Sequence, residues 1–406
     1  MPRFSGFRAV RYAAEPYDTD PYELLIAPPY DVLSEAQAAG YRERHPHNIT
    51  HLDLPVGPDR YTRAGELYRR WLADGVLVAD EVPTLTIYRL RFRDATGSLR
   101  SIAGVVGGLE VVDEGTAPDS KGGVLPHERT TPKASTDRLD LTRATQANLS
   151  PVWGLSLSSG LTELLVEPAE PIAAVHDHDE FPDGVEHVIE RITDPERIAA
   201  IAAIIAADDV LIADGHHRYG VARTYRDEVR SRTGRRDTAA EATLAFVSEL
   251  VEDQLSVAAI HRLYRGVDLD QLRTALARCF ELVPIGRPDQ DTLSRMEADG
   301  FLTLITPDGA YALTPRPGAF DGMRRLDGLW LEHTFADVDA EVSYQHGVDE
   351  VLSAVESGAA AAGILIRPVS VAEIERTARE GLLMPPKSTF FTPKLKTGFV
   401  IRDLTD

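Results

Sequence analysis

The densest cluster of chemistry-bearing side chains is Asp214-Gly215-His216-His217-Arg218, inside the stretch VLIADGHHRYGVA at 210–222. A mostly apolar run leads into it and a helix-like pattern follows, so a strand is expected to end and a helix to begin there. Ionisable side chains are poor core material without partners. At a helix start, however, the first amide groups lack carbonyl partners and the helix dipole is positive, which suits an anion. Gly215 lets a ligand approach the backbone closely. Arg218 offers a forked grip on phosphate or carboxylate. His216 and His217 exchange protons near neutral pH. Asp214 orients a histidine, accepts a proton or caps the helix, and the residues alone leave these alternatives open.

Two further clusters carry cations. LPHERTTPKASTDRLDLTRATQANLSP (125–151) holds Glu128, Lys133 and Arg138 among many hydroxyls. In an acidic protein such a locally basic stretch attracts a phosphate-bearing ligand, with Lys133 and Arg138 as phosphate contacts and Glu128 as base or metal ligand. From Asp137 its pattern is helical. MPPKSTFFTPKLKTG (384–398) presents Lys387, Ser388 and Thr389, an ammonium and two hydroxyls, followed by Lys394 and Lys396. The glycines of a P-loop are absent, which rejects a Walker motif. Asp31, in the Pro28-Pro29-Tyr30-Asp31 elbow, and Asp53 are two more carboxylates able to serve as base or Mg²⁺ ligand, although Asp31 in such an elbow reads first as a turn residue. His176-Asp177-His178 has metal-ligand spacing, although acidic His-x-His loops are common on surfaces. The metal ligands stay unknown.

The chain around these clusters has 406 residues, 43% apolar and 26% charged, with a net charge of −21. That is the profile of a globular protein with a real core, and its acidity argues against a nucleic-acid surface. The single cysteine, Cys279, occupies an apolar position of a helical pattern and reads as core. No long apolar run marks a membrane span, and the cytoplasm is the expected compartment.

Alternation around Ala-Thr-Gly predicts a hairpin from 85–94 and 98–112. Further strands are expected at 209–213, 242–250, 301–306, 310–313 and 362–366. Helices are expected after Ser34, at 59–74 and 195–207, from the motif to about 231, and at 268–280, 289–299 and 370–380. This mixture predicts an α+β (mixed α/β) fold. Three regions are expected: 1–150 with the hairpin and polar loop, 151–260 carrying the Asp214–Arg218 box, and 261–406 returning the Lys387-Ser388-Thr389 segment to the site.

Gly215, Arg218, Val221 and Ala222 resemble the G-x-x-R-x-x-A-A box of the ParB/sulfiredoxin superfamily. The resemblance implies a nucleotide-binding core and phosphate binding at a helix start. Nearly the whole chain resembles the domain-of-unknown-function 1015 family, on APPYDVLS, HERTTPKASTDRLDLTRATQANLSPVWGL, IADGHHRY and MPPKSTFFTPKLKTG. Together the resemblances imply a small-molecule kinase that moves a phosphoryl group from a nucleotide, ATP or ADP, with Mg²⁺, to a small hydroxyl metabolite such as free serine. A phosphatase acting on a small phosphorylated metabolite and a nucleotide-binding regulator without turnover are the alternatives. The expected partners are a small-molecule substrate and a nucleotide, with neither nucleic acid nor membrane, and with a homodimer as one arrangement.

Overall fold

A computed structural model describes residues 2–13, 22–94, 97–113, 123–126, 135–179, 181, 183–385 and 387–405. The fold is mixed α/β, of the α+β class, and the chain forms two units. One comprises Met1–Ser256, Thr377–Leu382 and Pro393–Asp406; the other comprises Val257–Arg376 and Leu383–Thr392.

The first unit is built on one large sheet. Its strands are β1 (Phe4–Ser5), β2 (Leu85–Arg93), β3 (Leu99–Glu110), β4 (Val124–Leu125), β5 (Val152–Ser156), β6 (Glu170–Asp177), β7 (Val185–Ile192), β8 (Val210–Asp214) and β9 (Ala242–Glu249). They lie in the order β4-β8-β5-β9-β3-β2-β7-β6, with β1 added at β3. β8 runs parallel to β4, and β9 parallel to β5; the other neighbours are antiparallel. The longer helices are α1 (Glu35–Arg44), α2 (Arg60–Ala73), α3 (Ser135–Thr145), α4 (Pro195–Ile205) and α5 (His216–Thr233). Ser34 and Gln37 close a capping box on α1. Pro195 opens α4, where Asp194 accepts from the Glu196 amide.

Strand side chains alternate between faces, and both faces of this sheet are covered. On one face Ile87, Val105, Val152, Ile212 and Val247 meet Ile201 and Ile205 of α4. The other face is aromatic. The Phe246 ring lies 5.8 Å from Tyr88 and 5.4 Å from Trp153, edge-on to both. Phe399, from the C-terminal segment, packs edge-on against Tyr88 at 5.5 Å. Beside it Tyr12, Leu25, Ile49, Tyr68, Trp71, Leu141 and Ile401 form a second core that seats α2 and α3.

The second unit has a sheet of β10 (His261–Arg265), β11 (Phe280–Ile285), β12 (Leu302–Thr306), β13 (Gly309–Pro315), β14 (Glu341–Gln345) and β15 (Ala362–Leu365), in the order β11-β13-β12-β15-β10-β14. Leu272 and Leu276, from the helix Leu269–Cys279, pack with Phe280, Leu304 and Ile364. Cys279 is partly buried against that core. No helix among the described residues is long and apolar enough to cross a membrane.

Helices α2 and α3 cross closely at Gly65. A Cβ there would meet the Ala144 carbonyl oxygen at 2.1 Å, a backbone atom with little room to move. Gly40 in α1 faces open space. Gly65→Ala is therefore expected to destabilise the protein by about 1–3 kcal/mol through overpacking. Gly40→Ala is expected to stabilise it by about 0.5–1 kcal/mol through reduced backbone entropy in the unfolded chain. Urea unfolding of the two variants checks both signs.

Candidate functional site

β8 ends at Asp214, and Gly215 turns the chain at φ +87° into α5. A side chain at 215 would be strained there and would also crowd Arg218 Nε at 3.0 Å and Val152 Cα at 3.3 Å. This explains the glycine between an acid and two histidines. The 18-residue helix α5 begins without a side-chain cap, whereas Ser34, Asp194 and Asp268 cap theirs. His216 and His217 form its first turn, half-buried.

One carboxylate organises the junction. Asp214 Oδ2 accepts from Arg218 Nη2 at 2.5 Å, and Oδ1 accepts from Lys394 Nζ at 3.1 Å. Arg218, one helical turn on, also donates to the Pro151 carbonyl. Its Nη2 stands 3.9 Å from Asp31 Oδ2. The Arg218 and Lys394 side chains are only 10% and 6% exposed, whereas Asp31 is 36% exposed. Among the described residues, the buried Arg218 Nε has no hydrogen-bond partner. Burial works to raise the Asp214 pKa, but Lys394 and Arg218 hold it well below the usual carboxylate range. For Arg218 burial works downward, and Asp214, Asp31, Tyr30 and Asp53 together raise it.

Arg138 approaches from α3 and is already engaged. Its Nη1 donates to the Asp53 carbonyl at 2.7 Å and to Asp53 Oδ1 at 3.2 Å, while Nε and Nη2 donate to Asp137 Oδ2. The guanidinium lies 4.2 Å from the centre of the Tyr30 ring. Burial pushes the Tyr30 phenol up to about 12. It also raises the pKa of the buried Asp53 carboxyl, outweighing Arg138 and Arg218.

A second charged cluster lies at the end of β6. Lys396 Nζ donates to Asp179 at 2.6 Å and stands 3.3 Å from Asp177. Asp177 Oδ2 is 2.5 Å from His187 Nε2, and His187 Nδ1 is 2.7 Å from the Tyr88 hydroxyl. Tyr41 donates to Asp179 at 2.5 Å.

The structure thus gathers Asp214, Gly215, His216, His217 and Arg218, with Arg138 tied to Asp53 and Tyr30. Glu128 and Lys133 lie outside the described residues. Lys387, Ser388 and Thr389 belong to the second unit, where the buried Ser388 hydroxyl donates to the Pro385 carbonyl at 2.8 Å and Arg262 donates to the Lys387 carbonyl. From the same C-terminal stretch, Lys394 is the residue on Asp214. Asp177, read with His176 and His178 as a metal spacing, instead pairs inward with His187. Among the described residues no group of three or more His, Cys, Asp or Glu is placed to hold a metal ion.

The chain belongs to the family described as "Protein of unknown function (DUF1015)", which matches residues 4–329. No curated protein matches it in sequence. Solved structures similar to it include a free serine kinase in complex with AMP, at 13% identity and TM-score 0.39, covering 70% of this chain and 88% of that one. A conserved hypothetical protein from Pyrococcus furiosus matches at 13% identity and TM-score 0.37, covering 70% and 94%. SbnI from Staphylococcus aureus, truncated at its C-terminus, matches at 13% and TM-score 0.38, covering 69% and 83%.

Burial lowers the pKa of His187 below its ordinary value, more than Asp177 raises it. The folded chain therefore keeps His187 neutral where the unfolded chain, titrating near about 6.5, takes up a proton. Its contribution to stability is present above that pH and is lost as pH falls below it, by at most about 1.4 kcal/mol per unit. Asp177, with its pKa depressed, contributes above the unfolded carboxylate range and loses that contribution only in acid, below about pH 4. Urea unfolding at pH 7.5, 6.5 and 5.5 is expected to show falling stability in the wild type. In His187→Gln the slope is expected to be shallower, with His261 and His47, also lowered by burial, supplying the remainder, and an unchanged slope would remove His187 as a contributor.

Proposed function

We propose that the chain transfers a phosphoryl group from a nucleotide to a hydroxyl of a small metabolite, at the junction of β8 and α5. The observation that carries this reading is the meeting of Arg218 and Lys394 on Asp214 at an uncapped helix start. A phosphate arriving there meets amide donors, the positive end of a helix and cations fixed in advance. Phosphoryl transfer asks a protein for little more than that, apart from a metal and an acceptor for the proton of the attacking hydroxyl.

Asp31 suits the acceptor, being exposed and 3.9 Å from Arg218. As the hydroxyl oxygen bonds to phosphorus and the bond to the leaving phosphate breaks, the hydroxyl proton passes to the Asp31 carboxylate. Asp214, shared between two cations and held ionised, is a poor proton acceptor and serves to hold them. His216 and His217, in the first turn of α5, would donate to phosphate oxygens. The resemblance of Gly215, Arg218, Val221 and Ala222 to the ParB/sulfiredoxin box supports a nucleotide as donor, and free serine represents the acceptor class it implies. Mg²⁺ bound mainly through substrate phosphates would need only one or two carboxylates from the chain.

The test is a thermal-shift panel with Mg²⁺ and, separately, ATP, ADP, CTP, inorganic phosphate, serine and phosphoserine. One nucleotide is expected to raise the melting temperature by mass action, and Arg218→Gln to abolish that shift. Asp31→Asn is expected to keep the shift while lowering turnover by about 10²-fold or more in a coupled phosphoryl-transfer assay. Shifts with phosphate or phosphoserine alone would turn the reading towards hydrolysis, and no shift with any nucleotide would overturn it.

A further inference from the structure

Resting on that reading, the geometry points to Lys394 as a second phosphate-binding side chain of the site, set in place by Lys396. Both lysines are held in the interior, 6% and 5% exposed. Burying an ammonium is costly unless it is paired, and each of these finds carboxylates: Lys394 on Asp214, Lys396 on Asp179 and Asp177. Asp214 needs no second cation for its own neutrality, because Arg218 already takes one of its oxygens at 2.5 Å. With Asp31 3.9 Å from Arg218 as well, Lys394 is the cation that brings the group from net negative to balanced, at the very helix start where an anion is favoured. The buried Arg218 Nε beside Gly215 has no partner among the described residues and is a further donor for an anion bound there.

The segment that carries Lys394 is fixed along its length. Thr397 exchanges backbone hydrogen bonds with Ala27, at 2.8 and 3.2 Å, and its hydroxyl is 2.8 Å from that of Ser150. The Lys396 amide donates to the Tyr88 hydroxyl at 3.1 Å. Tyr88 holds His187, His187 holds Asp177, and Asp177 faces the Lys396 ammonium. Backbone and side chain of Lys396 are thus tied into one network, two residues from Lys394. Lys396 is a positioning residue, and Lys394 is the one that touches phosphate.

Calorimetric titration of the full chain with ADP and with inorganic pyrophosphate, both with Mg²⁺, tests this. Lys394→Gln is expected to weaken ADP binding at least about tenfold, the loss of one charge-assisted contact. Lys396→Gln is expected to weaken it too, and the double variant to bind no worse than Lys394→Gln alone, because the second lysine acts through the first. Wild-type affinity in a folded Lys394→Gln overturns the inference while leaving the phosphate site standing. Lys394→Met, of similar length, is the second variant should the first fail to fold. Additive losses would make Lys396 a general structural residue and refute its positioning role. A wild-type chain that binds neither ADP nor pyrophosphate would remove the phosphate-site reading itself.

Discussion

Two buried cations, Arg218 and Lys394, meet on the Asp214 carboxylate, and like charges that close are tolerated only because the anion lies between them. The surrounding fold holds that arrangement in place. The carboxylate ends a strand inside the large sheet: β4 and β5 hold the start of β8 between them, and Asp214 itself pairs with Trp153 of β5. Arg218 is on the first turns of a helix whose Tyr219 is itself buried in the core and bonded to the Glu110 carbonyl and the Val112 amide. Lys394 arrives on a segment pinned to the aromatic face. Three independent pieces of the fold converge on two oxygen atoms.

The aromatic face supplies the low-dielectric wall that makes these charges interact strongly. Tyr88, Trp153, Phe246 and Phe399 present rings rather than water, and their polar tips are used: Trp153 Nε1 donates to Ser248 and Tyr88 bonds His187. The charged groups therefore sit at the rim of an apolar layer. Burial works to raise all three carboxylates; the His187 hydrogen bond and Lys396 overcome it at Asp177, Lys394 and Arg218 overcome it at Asp214, and at Asp53 burial wins. The first unit thus holds carboxylates pushed in opposite directions, by partners in two cases and by burial in the third.

What the sequence could reveal was local. The strand-glycine-helix junction was legible because an apolar run, an Asp-Gly pair and a helical period follow one another without a gap, and β8 and α5 form there. The hairpin of β2 and β3 was legible from alternation around a glycine turn, and α1 from Ser34. The sheet order was not legible, since β8 pairs with β4 and β5 across long stretches of chain and in opposite senses. Nor was β11, which begins at Phe280 with no break after the preceding helix, so that its first residues read as the helix end. In β6, neighbouring residues face opposite sides. That turns Asp177 inward to His187 and leaves His176 outside, although the His-x-His spacing had suggested a metal.

Long-range pairing decides the site in the same way. Lys394 and Asp214 are separated by 180 positions, and no local pattern around a Pro-Lys-Leu-Lys stretch distinguishes an ordinary strand from one that delivers a charge to a helix start. Closing so long a loop is entropically costly, and the cost is offset only by contacts formed when the segment docks. Those contacts are numerous here: Phe399 on Tyr88, Thr397 on Ala27, Ile401 in the second core. The charged junction is consequently complete only in a chain whose C-terminal segment has seated, which couples the formation of the site to the last layer of the first unit's core.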